Sequence, residues 1–382
     1  MKRCCKNVDV TNRELIARAT KDCLDGKIDR SDTIRMFEMY SGLPYDLLLD
    51  VVENHRYMLA GLVETVIDGI QKEIIEKKYI VKPIRYTTKK DSCNGKIRKI
   101  GIQDVKQQIY DYIAVYALEE LLRKKLGYYQ CGAIEGKGND FGAKVIYKWL
   151  SDKSNRWAWQ CDIRHCYENI NKKKLKEMLK RDVKNEDVLH LVFFLIDTSQ
   201  NGLSIGSYLS LFLASYYLSK AYIYASQLQK VRKKKDGTEK KVSLVNHVLF
   251  QMDDILLIGH SKSDLKMAVK RFTKFVNDEL GLEIKDTARY IDLQTEYIDI
   301  LGRKISRKNL TIRSSAFLRI RRTYKKVYKY ICRGEEIPHK LAKTCEARYG
   351  PVKHTQSRKF EKKYHVYRIK AEAGKVISRH AK

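Results

Sequence analysis

The stretch Val248-Leu-Phe-Gln-Met-Asp-Asp-Ile-Leu-Leu-Ile-Gly259 sets two adjacent carboxylates, Asp253 and Asp254, between two apolar segments. Short apolar runs on either side of a polar pair read as two buried strands joined by a tight turn. Two like charges at such a tip repel each other unless a cation or a compensating group lies close by. Whether the hairpin is an ordinary surface turn or half of a cation site depends on a further acid arriving from elsewhere in the chain.

Asp162 is that candidate. The segment WAWQCDIRHCYENIN, Trp157 to Asn171, carries a strand pattern ending on Asp162, and the aromatic Tyr167 follows five residues later. Between the two acidic segments lies NGLSIGSYLSLFLASYYLS, Asn201 to Ser219, a Gly/Ser-rich turn running into a helix. Strands that meet at a tight turn can bring Asp253 beside an acid at the end of a neighbouring strand. Clustered carboxylates of this kind suit a hard cation such as Mg²⁺. A pair of such ions about 3.5–4 Å apart serves an in-line displacement at phosphorus.

Composition points the same way. The 382 residues suffice for two or three packed subdomains, and a hydrophobic fraction of 43% fits a globular chain. The formal charge is +31. Self-repulsion of that size favours a polyanionic partner, with nucleic acid ahead of an anionic membrane surface. The charge is concentrated: residues 301–382 hold 25 Lys and Arg against 5 Glu and no Asp. Nine cysteines show no CxxC pair and no zinc-like cluster, so they read as reduced thiols. The amino terminus lacks an apolar signal core, and Leu189–Ile196 is too short an apolar run to span a bilayer. The expectation is a soluble, cytoplasmic protein with no membrane partner.

Residues 1–76 read as a helical extension, with Thr11-Asn-Arg-Glu14 fitting a capping box. Residues 77–155 alternate strand and helix signals, with Thr87–Gly95 as a turn between IVKPIRY and KIRKIGI and a helix over 107–126. Residues 156–305 carry the order expected of a mixed α/β layer. Within it, residues 230–245 read as a protruding basic hairpin turning at Asp236-Gly237. Residues 306–382 form a basic helical region. There Phe317, Ile320, Tyr324, Val327 and Ile331 make one apolar stripe on a helix otherwise rich in Arg and Lys. GAIEGKGNDFGAK, Gly132 to Lys144, lacks the P-loop spacing and reads as a Gly-rich loop.

An Asp-x4-aromatic strand end, a GxxxS turn-helix and a Met-Asp-Asp hairpin, in this order, resemble the palm motifs of reverse transcriptases. The likeness covers residues 79–330, and KKDSCNGKIRKIGIQD, Lys89 to Asp104, resembles the fingers segment before the palm. It implies a right-hand α/β polymerase fold: an extension (1–76), fingers (77–155), palm (156–305) and basic thumb (306–382). It implies catalytic acids Asp162, Asp253 and Asp254, which with the carbonyl of Ile163 hold two Mg²⁺ or Mn²⁺ ions, Asp254 in a lesser direct role. Nucleotide-binding residues by the same resemblance are Lys89, Lys90 and Arg98, the steric-gate ring Tyr167, and Ile205, Gly206 and Lys285. Arg289 fits the proton-donor position of Lys285 equally. Template and primer contacts fall on Ser210, Gln251, Met252, Leu301, Gly302, Arg319 and Arg322.

Two departures carry information. Gln251 stands where most relatives have an aromatic residue, and Ile205 stands where many retroviral relatives have glutamine. An aliphatic residue before Gly206 is shared with diversity-generating retroelement enzymes and with bacterial defence-associated groups. Ser210-Leu211, where the former continue Ser-Gln, favours a bacterial or phage enzyme outside that group. The implied function is DNA synthesis on an RNA template, a dedicated structured noncoding RNA, in antiphage defence. A low-fidelity retroelement enzyme and a non-catalytic RNA-binding protein that keeps the fold are the alternatives. dNTPs, RNA template and DNA product are the implied partners, with an accessory protein or a second copy left open.

Overall fold

The computed structural model describes residues 3–90, 95, 97–132 and 134–380. They form two compact units, one from residues 1–128, 163–223 and 273–284, the other from residues 129–162, 224–272 and 285–382.

The first unit opens with helices Arg13–Leu24, Ser31–Ser41, Tyr45–Asn54 and Leu59–Glu76. The first is capped by Asn12, whose carboxamide accepts from the N–H groups of Glu14 and Leu15. Thr11, expected as the cap, instead donates its N–H and hydroxyl to Asp9 at 2.8 and 2.6 Å. Strands β1 (Arg85–Lys90) and β2 (Ile97–Ile102) pair antiparallel, with Lys89 opposite Arg98. Thr87–Lys90 therefore belong to the ladder and not to the expected turn, whose residues 91–94 lie outside the described ones. The helix expected over 107–126 is two helices, Val105–Ala117 and Glu119–Lys125, interrupted at Leu118, whose ψ of 2° leaves the helical range.

Two buried polar networks tie this unit together. Glu73 accepts from the Tyr40 hydroxyl (2.9 Å), the Tyr110 hydroxyl (2.5 Å) and Lys106 Nζ (2.7 Å), joining the N-terminal helices to helix Val105–Ala117. Asp182 accepts from the Tyr216 hydroxyl (2.7 Å) and from Arg181 (3.1 Å), and pairs with Lys125 (3.0 Å). Burial alone would raise the Asp182 carboxyl, but these donors hold it down at about 2.

The second unit is built on a five-stranded sheet. Its strands are β3 (Gln130–Cys131), β4 (Trp157–Asp162), β7 (His247–Gln251), β8 (Asp254–Gly259) and β9 (Arg289–Asp292), in the order β3-β7-β8-β4-β9. Between β4 and β7 in sequence, β5 (Gln229–Lys233) and β6 (Glu239–Ser243) form a separate two-stranded ribbon. Only β3–β7 is parallel. β8 is buried from Ile255 to Gly259 because both faces of the sheet are covered, which explains its unbroken apolar run. On one face Leu249, Leu256, Ile258, Ala158 and Ile291 pack with Ala143, Ile146 and Leu150 of helix Asn139–Ser151. Trp159 and Phe250 meet Phe272 edge-on, with ring centroids 6.0 and 6.1 Å away.

Three short strands follow: β10 (Ile298–Ile300), β11 (Arg303–Ile305) and β12 (Leu310–Ile312). Leu301 and Gly302, at φ of +59° and +71°, make the two-residue turn between the first two. Both residues at positive φ is the geometry that matches strand twist in a tight hairpin. The remaining chain is helical, led by Ser314–Arg333. Ile320, Tyr324 and Val327 enter a core with Cys345, Val352, Phe360, Val366 and Ile369, and Phe317 and Ile331 pack at its margin. That is the stripe read from the sequence. Among the described residues no helix is long and apolar enough to cross a membrane.

Candidate active site

The acids are delivered by register. In the β4–β8 ladder Asp162 lies directly opposite Asp254, and in the β7–β8 ladder Gln251 lies opposite Asp254. Directly opposed residues of an antiparallel pair project to the same face, so the carboxylates of Asp162 and Asp254 share one side of the sheet. Asp253 occupies the turn beside Met252, whose φ is +56°. A non-glycine residue in that region costs about 1–2 kcal/mol, so the turn is held by its surroundings. Gly132 is one of them. A Cβ there would lie 2.9 Å from the Met252 sulfur and 3.0 Å from Gln251 Nε2, so only a glycine lets this backbone approach the hairpin.

Electrostatics show that the three acids belong together. Burial, then the charges of Asp253 and Asp162, push the Asp254 carboxyl up to about 6, against the pull of Arg313 and Lys285. Asp162 is ion-paired with Lys285 through its side chain, and its carbonyl accepts the Lys285 N–H at 2.9 Å. A cleft of about 210 Å³ is lined by Gln160, Asp162, Asp254, Arg289, Asp299 and Arg313 among others. Asp299 accepts from Arg313 Nε at 2.6 Å, and its carbonyl accepts from Gln160 Nε2 at 2.9 Å.

Among the described residues no set of three or more acidic, histidine or cysteine side chains converges closely enough to hold a metal ion. The donors present nonetheless fit Mg²⁺. That ion dehydrates reluctantly, keeps several waters, and is held by one or two carboxylates with substrate phosphates rather than by a closed protein cage. Opposed hard-oxygen acids, one of them raised by burial and by its neighbours' charge, supply such a half-shell, and a cation would relieve the repulsion.

The other residues singled out by sequence are placed as follows. Ile163 is buried and bridges to Ile284. Lys89, Lys90 and Arg98 are exposed on the β1–β2 ribbon, where Lys89 and Arg98 face each other across the strands. Tyr167 is half-buried in the short helix Cys166–Asn169, and its carbonyl accepts the Leu203 N–H at 2.8 Å. Ile205 accepts the Gly101 N–H at 2.7 Å through its carbonyl. Gly206, at φ +112°, leaves no room for a Cβ, which would lie 2.5 Å from the Gly101 carbonyl oxygen. Lys285 is at the acids and Arg289 lines the same cleft. Gln251 Oε1 is buried with no hydrogen-bond partner among the described residues. On helix Ser314–Arg333, Arg322 is exposed and Arg319 half-buried.

Ser210 is only 5% exposed, lining a cavity with Ser204, Ser207 and Leu213. Leu301 is 6% exposed and packs toward Gly142. Sequence reasoning missed Asp299 and Arg313. The signal was a lone acid in the apolar strand YIDIL, the same kind that singled out Asp253. It missed Asp111 as well, which is buried and accepts from the Ser207 hydroxyl (2.7 Å) and the Leu209 N–H (3.3 Å) at the start of helix Tyr208–Ser226.

Opposed acids on a mixed sheet, with Lys285, Arg289 and Arg313 around them, make a site whose charges suit phosphate groups. Residues 87–305 match the family described as reverse transcriptase (RNA-dependent DNA polymerase). That is more than half of the chain, and the chain belongs to this family. Its fold is mixed α/β, as that family's is. Among solved structures it is similar to apo telomerase from Candida tropicalis truncated from its C-terminal domain, at 16% identity and a TM-score of 0.41 over 61% of this chain. The chain spans 56% of that telomerase chain, and the likeness is too distant to bear on function. No curated protein matches the chain.

Proposed function

We propose that this polymerase makes DNA by two-metal-ion nucleotidyl transfer at Asp162, Asp253 and Asp254, on a dedicated structured RNA, in the cytoplasm of a bacterium and in antiphage defence. The observation that carries the site assignment is the face-to-face register of Asp162 and Asp254 with Asp253 on the adjoining turn, inside the segment that matches the family. Mg²⁺ ions held by these carboxylates and the Ile163 carbonyl would neutralise charge at the attacking 3′-hydroxyl and at the leaving pyrophosphate.

The chain's own residues do the rest. Lys285, beside Asp162, is the donor of a proton to pyrophosphate. Arg98, with Lys89 across the ribbon, grips the triphosphate, and a planar guanidinium suits that task because it donates parallel hydrogen bonds. The Tyr167 ring excludes a ribose 2′-hydroxyl. Gly206 keeps backbone exposed beneath the nascent pair. Arg319 and Arg322 hold the duplex backbone from the thumb, residues 306–382. A surplus of 20 positive charges in residues 301–382 supports a large RNA partner. Ile205 followed by Ser210-Leu211 supports the defence groups over retroelement enzymes.

The test is to purify the chain with its bound RNA, supply Mg²⁺ and labelled dNTPs, and sequence RNA and product. One abundant RNA and its DNA copy are expected, abolished by EDTA. Random cellular RNA, copied no better than any other primed template, would refute the dedicated partner. Undiminished synthesis in EDTA would refute the metal-ion reading.

A further inference from the structure

The β5–β6 ribbon takes no part in the chemistry above. Its residues 231–241 are all exposed, so it stands on no core of its own. Isolated two-stranded ribbons are at best marginally stable, and this one is secured at root and tip. At the root Lys230 pairs with Asp264, Arg271 donates to the Gln229 carbonyl at 2.8 Å, and the Leu244 N–H reaches the Leu228 carbonyl at 2.9 Å. At the tip Gly237 takes φ +79° and Asp236 accepts from the N–H and hydroxyl of Thr238 at 2.9 and 2.6 Å.

The charge pattern works against that stability. Arg232 lies directly opposite Lys240, with Lys234 just past the end of β5 and Lys230, opposite Val242, at the root, so these cations share one face of the ribbon. On the other face Val231 is opposite Lys241 and Lys233 is opposite Glu239. Like charges directly opposed across a ladder destabilise it. Lysines on an exposed strand edge also discourage aggregation, but alternating signs would do so without a like-charged pair. A polyanion lying along the cationic face removes the repulsion.

The ribbon also limits which polyanion. From Gln229 to Ser243 it carries no aromatic ring. Unpaired bases are held chiefly by stacking on aromatic side chains, whereas helical RNA is held through its backbone and shape. We propose that the cationic face of the β5–β6 ribbon, centred on Arg232 and Lys240, grips the phosphate backbone of a double-helical stem in the template RNA. This rests on the reading that the chain copies a structured RNA.

The experiment uses the full chain and a fluorescent RNA stem, with a DNA duplex and a single-stranded RNA of the same sequence as comparison arms. The variant is Arg232→Thr/Lys234→Thr/Lys240→Thr, and a control removes three exposed cations from the other compact unit, Lys6→Thr/Lys72→Thr/Arg123→Thr. Stem affinity is expected to fall roughly tenfold or more in the ribbon variant, and the slope of log K against log salt to shrink by about 2, since each phosphate contact contributes roughly 0.7–0.9. The control should change little, and the free ribbon variant should melt no lower than wild type, because like-charge repulsion has been removed. Equal losses in both variants, no loss in the ribbon variant, or a larger loss for the DNA duplex or single strand would each overturn the proposal. Extension of a short DNA primer on an unstructured RNA should survive in the ribbon variant. Loss of that activity in wild type as well would indict the polymerase reading, not the ribbon.

Discussion

Asp111 gives the account its most exacting test away from the acids. Its carboxylate is buried and caps the first turn of helix Tyr208–Ser226, which follows the Gly206 turn. Burial pushes it up to about 6, although hydrogen bonds from Ser207, Leu209, Gln103 and Tyr208 pull the other way. The ordinary carboxyl sits at 3.8. Above pH 6 the acid is ionised in both folded and unfolded chains, and the fold carries the full cost of the buried charge. As pH falls through 6 the folded chain takes up the proton first, and the fold gains stability until the unfolded chain is protonated as well. A shift of roughly 2 units corresponds to about 3 kcal/mol in total, of which about 1.4 kcal/mol appears between pH 7 and pH 5. Asp111→Asn keeps a carboxamide oxygen to accept from Ser207 but cannot titrate. Urea denaturation across that pH range, followed by hydrogen exchange of the helix Tyr208–Ser226 amides, should show a gain larger in wild type than in the variant by that amount, Asp254 contributing equally to both. Identical pH dependence in the two proteins would refute the argument.

Three further predictions follow from close approaches and ion pairs. Gly132→Ala forces a Cβ onto Met252 and Gln251 at positive φ. Conformation costs about 1–2 kcal/mol and overpacking about 1–3 kcal/mol; denaturation midpoints should fall and dNTP incorporation should drop, and full activity with wild-type stability would contradict the described turn. Lys285→Ala should slow single-turnover incorporation by about 10²-fold, the scale of a lost general acid, while leaving RNA affinity intact; an unchanged rate would remove Lys285 from the chemistry. Tyr216→Phe deletes the 2.7 Å hydrogen bond to Asp182, at a cost of about 1.5–3 kcal/mol. Because the Asp182 carboxyl is depressed, its stabilisation is present above pH 4 and lost as pH falls toward 2. Circular dichroism should therefore show the variant unfolding at higher pH than wild type.

Much of the architecture was legible because its signals are local. The β7–β8 hairpin declares itself by apolar arms around a polar pair. Helix Ser314–Arg333 declares itself by a stripe at steps of three and four, and the ribbon by Asp236-Gly237. Where the sequence misled, the deciding physics lay elsewhere in the chain. Thr87–Lys90 pair as a strand although their ribbon is exposed, and exposed ribbons have no buried face to impose alternation. The helix break at Leu118 lies between segments that both favour helix. The burial of Ser210 and Leu301 is likewise settled by packing and not by motif position. Asp111 and Asp299 serve partners brought close only by folding; Ser207 is 96 residues from Asp111. The buried Oε1 of Gln251, without a hydrogen-bond partner among the described residues, sits on β7 opposite Asp254.

The most direct test of the central claim is DNA synthesis on a primed RNA template with Mg²⁺ and dNTPs, measured for wild type, Asp162→Asn, Asp253→Asn and Asp254→Asn after each is shown to fold and to bind RNA. The account predicts extension by wild type and loss of about 10³-fold or more in Asp162→Asn and Asp253→Asn, since removing groups that stabilise transition-state charge costs on that scale. Extension at wild-type rates by either variant would contradict the assignment of chemistry to the acids of β4, β8 and the turn between β7 and β8.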